Sequence, residues 1–278
     1  GFVSDSDPVV DYQVSFSEPI PGMGGQDISV DGGSLVPGSV VVAEGGMSAT
    51  FSVTATDDSM DAVSVTVLGT VTDIHGNMLV EGTSQPEVVD TVNPEVVAIS
   101  SNFADIESDG VVSDSDFEVT YTVGFSEPIP GMGGEDISVA GGSLVPGSVV
   151  VAEDGLSATF LVTATDDSMD ALSVTVLGTV TDIHGNLLAQ PETSAPEVVD
   201  TVNPEVVGIV SSFADVELDG FVSDSDPVVD YQVSFSEPIS GMGGQDISVA
   251  GGSLVPGSVD VAEGGMSATF KVTATDDS

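Results

Sequence analysis

Hydrophobic and polar residues alternate along Phe117–Phe125, the clearest pattern in the chain. One face carries Phe117, Val119, Tyr121, Val123 and Phe125, and the other carries Glu118, Thr120, Thr122 and Gly124. A period of two is typical of a strand with one buried face. The apolar face recurs as Val229, Tyr231, Val233 and Phe235, whereas the opposite face changes. The pattern therefore predicts a strand whose repeated face lies in the core.

Further apolar runs predict the remaining strands of one domain. They are Asp136–Ala140, Ser148–Ala152, Leu156–Ala164, Leu172–Thr181, Glu205–Ser211 and a short strand after Asn186. Asp154-Gly155 between two runs indicates a hairpin, and Gly141-Gly142 indicates a turn. No segment predicts a helix. About seven antiparallel strands in about 110 residues indicate an all-β fold of tandem immunoglobulin-like β-sandwich domains.

The chain consists of tandem repeats. DTVNPEVV begins at Asp90 and again at Asp200, and FSEPI begins at Phe16, Phe125 and Phe235. We therefore expect three repeats, at residues 1–89, 90–199 and 200–278. Only repeat 2 is complete, because repeat 1 has no counterpart of 90–109 and repeat 3 stops after TDDS. This phase predicts a window on a longer array.

The charge excludes several classes of function. The chain of 278 residues has 46 acidic side chains, one basic side chain and a formal net charge of −45. Binding to nucleic acid or to an anionic membrane needs a cationic surface that these residues do not provide. There is no Cys, so disulfides and thiolate sites are excluded. No apolar run is long enough to cross a bilayer. So much negative charge in a folded chain calls for bound cations or a salty medium.

An acidic loop before the long strand is the first candidate for calcium. Counted as a 12-residue loop, repeat 2 places acidic residues at Asp105, Glu107, Asp109, Asp114 and Asp116. Repeat 3 places them at Asp215, Glu217, Asp219, Asp224 and Asp226. Alternate oxygen ligands in a tight loop suit Ca²⁺. The alternative is a solvated acidic turn.

The junction between repeats is the second candidate. Asp90 and Asp200 open the DTVNP segments, and Asp182 and Asn186 lie in a turn at one end of the sandwich. A cation that joins this segment to a neighbouring loop would stiffen the junction, and the alternative is an ordinary Asp/Asn turn. No known catalytic motif is present, so we expect no enzyme activity.

The segment FSEPIPGMGGEDISVAGGSL, followed by a hairpin and TDIHGN, resembles the bacterial Ig-like repeats of giant surface adhesins. DTVNPEVV is similar to the opening of such repeats. The resemblance implies an extracellular extender, cell-surface attached or in a secreted fibre, that is stiffened by Ca²⁺. It implies metal ligands at Asp90, Asp200, Asp182 and Asn186.

We therefore expect a structural rod whose partners are neighbouring repeats and other copies of the same chain in a fibre. The first alternative is a subunit of a self-assembling extracellular filament or sheath. A carbohydrate-binding array is a weaker alternative, since the chain has no Trp and 5% aromatic residues. Adaptation to high salt is another explanation of the acidity.

Overall fold

A computed structural model describes residues 2–103, 110–212, 222 and 227–275. The described residues form antiparallel β-sheets, which confirms the all-β prediction. Three single-turn 3-10 helices occur at Gly25–Asp27, Gly134–Asp136 and Gly244–Asp246. Within the described ranges, no helix has the length and apolar character needed to span a membrane.

Repeat 1 forms two sheets. Its strands are β1 (Val9–Ser15), β2 (Ile28–Asp31), β3 (Gly33–Leu35), β4 (Val41–Val42), β5 (Ser48–Ala55), β6 (Ser64–Val67) and β7 (Gly82–Thr83). One sheet has the order β1-β5-β3, with β4 also paired to β5, and the other has the order β2-β6-β7. Every pairing between these strands is antiparallel.

Repeat 2 has the same plan with one additional strand at the start. Its strands are β8 (Val96–Ser101), β9 (Glu118–Phe125), β10 (Ile137–Ala140), β11 (Gly142–Leu144), β12 (Val150–Val151), β13 (Ser157–Ala164), β14 (Ser173–Val176) and β15 (Glu192–Thr193). The larger sheet has the order β11-β13-β9-β8, with β12 on β13, and the smaller has the order β10-β14-β15. These sheets are the two layers of a β-sandwich.

The core of repeat 2 lies between its two sheets. Val119, Tyr121 and Val123 on β9 are at most 1% exposed. They belong to one apolar cluster with Val174 and Val176 from the facing sheet. The repeated face of the strand is therefore the core face, as the alternation predicts, because apolar side chains gain free energy when they leave water.

The structure differs from the strand predictions at several places, and β12, for example, covers only Val150–Val151 of the predicted Ser148–Ala152. Phe117 is 46% exposed and lies just before β9, although its carbonyl still accepts a hydrogen bond from Ala164 N at the end of β13. β11 was not predicted, since Gly142 was assigned to a turn. β14 is shorter than Leu172–Thr181, because its pairing with β10 and β15 ends at Val176.

The chain divides into two compact units, 1–201 and 202–278. The second unit contains β16 (Val206–Ser211), β17 (Val228–Phe235), β18 (Gly252–Leu254), β19 (Asp260–Val261) and β20 (Ser267–Ala274). They form one sheet in the order β16-β17-β20-β18, with β19 on β20. Beside this sheet is an open cavity of about 490 Å³, lined by apolar side chains that include Tyr231 and Phe270.

Candidate metal site between two repeats

The Asp182–Asn186 turn is built from its own residues. The Asp182 carboxylate accepts hydrogen bonds from the backbone N–H groups of His184 (2.7 Å) and Asn186 (2.9 Å), and from Asn186 Nδ2 (2.8 Å). Gly185 supplies the positive φ of 90° that closes the turn. An Asp side chain that accepts from the backbone of the following residues is a common turn former. The local sequence is therefore sufficient to shape this loop.

The counterpart in repeat 1 confirms that the turn is local. Asp73 accepts the same three hydrogen bonds, from His75 N, Asn77 N and Asn77 Nδ2. Backbone and side-chain hydrogen bonds from Asn77 lower the pKa of Asp73, because they favour the ionised carboxylate. The turn is thus organised around the carboxyl group of an Asp in both repeats.

The segment 90–95, called the linker below, is held at its start by repeat 1. Asp90 N donates to Val3 O at 2.9 Å. The hydroxyl of Thr91 donates to Thr56 O (2.8 Å) and accepts from Ser59 N (3.0 Å). Thr91 is fully buried, so the Asp-Thr pair of the repeated motif fixes the Asp90 side chain relative to repeat 1.

The end of the linker is held by repeat 2. Pro94 O accepts from Ala189 N at 2.9 Å, and Glu95 exchanges hydrogen bonds with Ser126. Ser126 immediately precedes Glu127, so the contact that holds Glu95 also places Glu127 beside the linker. The FSEP motif therefore has a structural role at the junction in addition to ending β9.

Three carboxylates converge where these elements meet. One oxygen from each of Asp90, Glu127 and Asp182 lies within 4.8 Å of the other two, and this is the one such group found among the described residues. Asp90 is 7% exposed and Asp182 is 2% exposed. Like charges at this separation repel one another strongly when solvent is largely excluded.

Glu127 has the least compensated carboxylate of the three. Its Oε1 atom is buried and has no hydrogen-bond partner among the described residues. Burial raises the pKa of Glu127, and the neighbouring charges of Asp90 and Asp182 raise it further. A buried acceptor without a partner costs free energy. A cation among the three carboxylates would remove both costs.

Further acidic groups surround this cluster. Burial and the Asp57 carboxylate raise the pKa of Asp5, and Asp58 acts on both Asp5 and Glu127. Asp5 and Asp58 belong to repeat 1, so both repeats contribute negative charge to the junction. The electrostatic environment therefore favours cations over anions.

Asn186 and His184 make direct contacts across the junction. Asn186 Nδ2 donates to Asp90 O at 2.9 Å, and Asn186 Oδ1 accepts from Asp5 N at 2.8 Å. His184 Nε2 lies 3.5 Å from Asp90 Oδ2, and its ring centroid lies 4.1 Å from that of Phe2. The turn of repeat 2 is thus packed against the end of repeat 1.

The structure brings together part of the junction site predicted from the sequence. Asp90 and Asp182 lie in the carboxylate cluster, and the Asn186 amide lies beside it, bonded to the main chain of the linker at Asp90 and of repeat 1 at Asp5. Asp200 occupies the equivalent position to Asp90 in the second linker, and its N–H donates to Val112 O.

The predicted 12-residue loops lie largely outside the described residues. Those undescribed positions are Asp105, Glu107, Asp109, Asp215, Glu217, Asp219, Asp224 and Asp226. Asp114 is exposed and Asp116 is half-buried, in a turn closed by the bond from Asp116 N to Ser113 O. Asp114 is the counterpart of Asp5, which lies at the junction with repeat 2.

Glu127 was not predicted as a ligand. One signal in the sequence pointed to it, since FSEP places a Glu at the same position of every repeat, at Glu18, Glu127 and Glu237. The same buried, unpartnered Oε1 occurs at Glu237 among the described residues. Glu18 is exposed. The position of this carboxylate next to Asp90 depends on how the linker folds back on repeat 2, which no local pattern encodes.

No family model matches the chain, and no curated protein matches it. Among solved structures, the S-layer protein rSbsC is similar at 15% identity and a TM-score of 0.23, over 100% of this chain and 51% of that one. Domains 1–6 of surface layer protein SbsC match at 14% identity and a TM-score of 0.23, over 99% of this chain and 50% of that one. The chain thus spans about half the length of these two proteins. Similarity at this level carries no argument about fold or function.

Proposed function

We propose that the chain is a structural extender of an extracellular fibre in which calcium stiffens the junction between consecutive β-sandwich repeats. Its role is mechanical and not catalytic. The observation that carries the proposal is the convergence of Asp90, Glu127 and Asp182, with a Glu127 oxygen buried and unpartnered. Carboxylate oxygens are the ligands that Ca²⁺ prefers.

A bound Ca²⁺ would supply the positive charge that neutralises these three carboxylates. The chain supplies the mechanical connection, because Thr91 anchors Asp90 to repeat 1, whereas Glu127 and Asp182 belong to repeat 2. A cation shared by the three side chains therefore resists bending of the linker. Since it binds the folded junction and not the unfolded chain, it also stabilises the fold by mass action.

The extracellular location rests on the resemblance of the FSEP, DISV and DIHGN motifs to adhesin repeats. Sites in extracellular calcium modules typically have dissociation constants of about 10⁻⁴ to 10⁻³ M. We expect an affinity in this range, since the junction offers three carboxylates in one cluster.

Calorimetric titration of the whole chain with Ca²⁺ and with Mg²⁺, at constant KCl, tests the proposal. Glu127→Gln should weaken one class of Ca²⁺ sites by at least about tenfold, which corresponds to about 1.4 kcal/mol. Glu18→Gln is the matched control, because Glu18 is the exposed counterpart in the same motif. Equal binding isotherms for the two variants would overturn the assignment of the site.

A further inference from the structure

We infer that the Asp182–Asn186 turn is a docking surface for the end of the preceding repeat, and that the Asn186 side chain joins the two repeats without a metal ion. The surface recognises two main-chain groups, the carbonyl of Asp90 and the N–H of Asp5. The partner it fits is the end of another repeat of this type.

Repeat 1 provides an internal reference for this assignment. Asn77 occupies the same place in the same turn and makes the same bond to its own carboxylate, Asn77 Nδ2 to Asp73 Oδ2 at 2.7 Å. Asn77 is exposed, whereas Asn186 is 0% exposed. The turn is the same in both repeats, so the difference in burial comes from the contact of Asn186 with repeat 1.

The amide of Asn186 is satisfied by that contact. Asn186 Nδ2 donates one hydrogen bond to Asp182 Oδ2 inside the turn, at 2.8 Å, and the other to the Asp90 carbonyl. The amide oxygen accepts from Asp5 N. A primary amide has two N–H donors and one carbonyl oxygen, and each of them has a partner here. An aspartate at this position would lose both donors and add a charge beside Asp182, so the chemistry of the surface requires an amide.

The bonds that Asn186 makes outside its own turn need no metal ion, although its Nδ2 atom also donates to the proposed ligand Asp182. The groups of the linker and of repeat 1 that Asn186 binds, Asp90 O and Asp5 N, are main-chain atoms, so they do not depend on the charge of any carboxylate. Phe2 adds a ring contact to His184 on the same surface. The two repeats should therefore stay joined when calcium is removed, and calcium should add stiffness to a junction that already exists.

The test compares Asn186→Ala with Asn77→Ala in the whole chain in EDTA. Both variants lose the bond inside the turn, and Asn186→Ala alone loses the bonds to Asp90 O of the linker and Asp5 N of repeat 1. The chain has no Cys, so spin labels can be placed at Thr50→Cys and Thr159→Cys, which replace exposed residues at equivalent positions of β5 and β13. Pulsed electron resonance then reports the distribution of distances between the repeats.

The wild-type chain and Asn77→Ala should give one narrow distribution in EDTA, and Asn186→Ala should give a distribution at least about twice as broad. Circular dichroism controls for folding of each variant, and Asn186→Asp is a second, isosteric test with the same expectation. A narrow distribution in both Asn186 variants, or a broad one in the wild type in EDTA, would overturn the inference. Both measurements are made in EDTA and do not depend on calcium binding. The inference about the docking surface is therefore tested separately from the proposed calcium site.

Discussion

Replacement of Glu127 by glutamine is expected to stabilise unit 1–201 without calcium and to lose that advantage over the wild type when calcium is added. Glutamine keeps the size of the side chain and removes its charge. In EDTA the variant should be more stable than the wild type, because the repulsion of Glu127 by Asp90 and Asp182 disappears. Addition of calcium should stabilise the variant less than the wild type, because one of the three clustered carboxylates is absent.

The distances in the cluster set the magnitude of the first effect. At about 4.8 Å and an effective dielectric constant of about 20, two like charges repel by roughly 3 kcal/mol. Glu127 is partly exposed, and solvent lowers each repulsion to roughly 1 kcal/mol. Glu127→Gln should therefore raise the free energy of unfolding by about 1–2 kcal/mol in EDTA.

Mass action sets the magnitude of the second effect. Free Ca²⁺ at about 100 times the dissociation constant adds about 2.7 kcal/mol to the wild type. A tenfold loss of affinity lowers this gain by about 1.4 kcal/mol. The difference between variant and wild type should therefore shrink to about zero or reverse sign when calcium is added.

Thermal unfolding of the whole chain, at matched ionic strength with EDTA, Ca²⁺ or Mg²⁺, measures both effects. A change of 1 kcal/mol corresponds to a shift in Tm of about 2–4 °C for a unit of this size. Glu18→Gln should match the wild type within about 0.5 kcal/mol in every buffer. The reasoning is refuted if Glu127→Gln lowers Tm in EDTA, or if calcium raises the Tm of variant and wild type equally.

Three further predictions test the fold. Tyr121 is fully buried, and desolvation raises its pKa to about 12 from 10.0. Between pH 10 and 12 the phenol stays protonated in the folded state and ionises in the unfolded state, so the free energy of unfolding should fall by up to about 3 kcal/mol over that range. The Tyr121→Phe variant should lose less stability in an alkaline unfolding titration, and an equal slope would contradict the assignment. Leu172→Ala should cost about 2–5 kcal/mol in urea unfolding, whereas the exposed Leu187→Ala should cost under about 0.5 kcal/mol; similar costs would place Leu172 outside the core. Gly141→Ala should unfold at a lower urea concentration than Gly147→Ala. Both glycines have φ above 70°, but a Cβ at 141 would lie 2.3 Å from Ala171 O, whereas a Cβ at 147 would meet nothing within 4 Å. Equal urea midpoints for the two variants would refute the close approach.

Much of the fold follows from period-two alternation. The face containing Val119, Tyr121 and Val123 could be assigned because one side of the sheet is buried and the other meets solvent. β11 could not be assigned from the sequence, since Gly141-Gly142 indicates a turn. Gly141 does make the turn, at φ 72°, but Gly142 is already paired with Ala164 across the sheet. Short strands without alternating apolar residues depend on such pairings more than on their own sequence.

The candidate site was partly accessible from the sequence. Asp90 and Asp182 stand in repeated motifs whose local geometry fixes their side chains, so both could be named. Glu127 could not, because it approaches Asp90 only when the linker folds back and Glu95 pairs with Ser126. The position of Asn186 between the Asp90 carbonyl and the Asp5 N–H likewise arises from the packing of two repeats.

The division into three repeats stays a prediction from the sequence. The contacts separate 1–201 from 202–278, near the expected boundary at residue 200, and they join the first two repeats into one unit. That unit contains the linker with its hydrogen bonds to both sides. The first two repeats form one compact unit because the Asp182–Asn186 turn of repeat 2 packs on the end of repeat 1.

A crystal structure of the whole chain grown in millimolar calcium tests the central claim most directly. Anomalous scattering should locate a Ca²⁺ ion at the junction, bound at about 2.3–2.6 Å by oxygens of Asp90, Glu127 and Asp182. An ion-free cluster in such a crystal, with the three carboxylates turned to solvent or bound to other protein groups, would contradict the account.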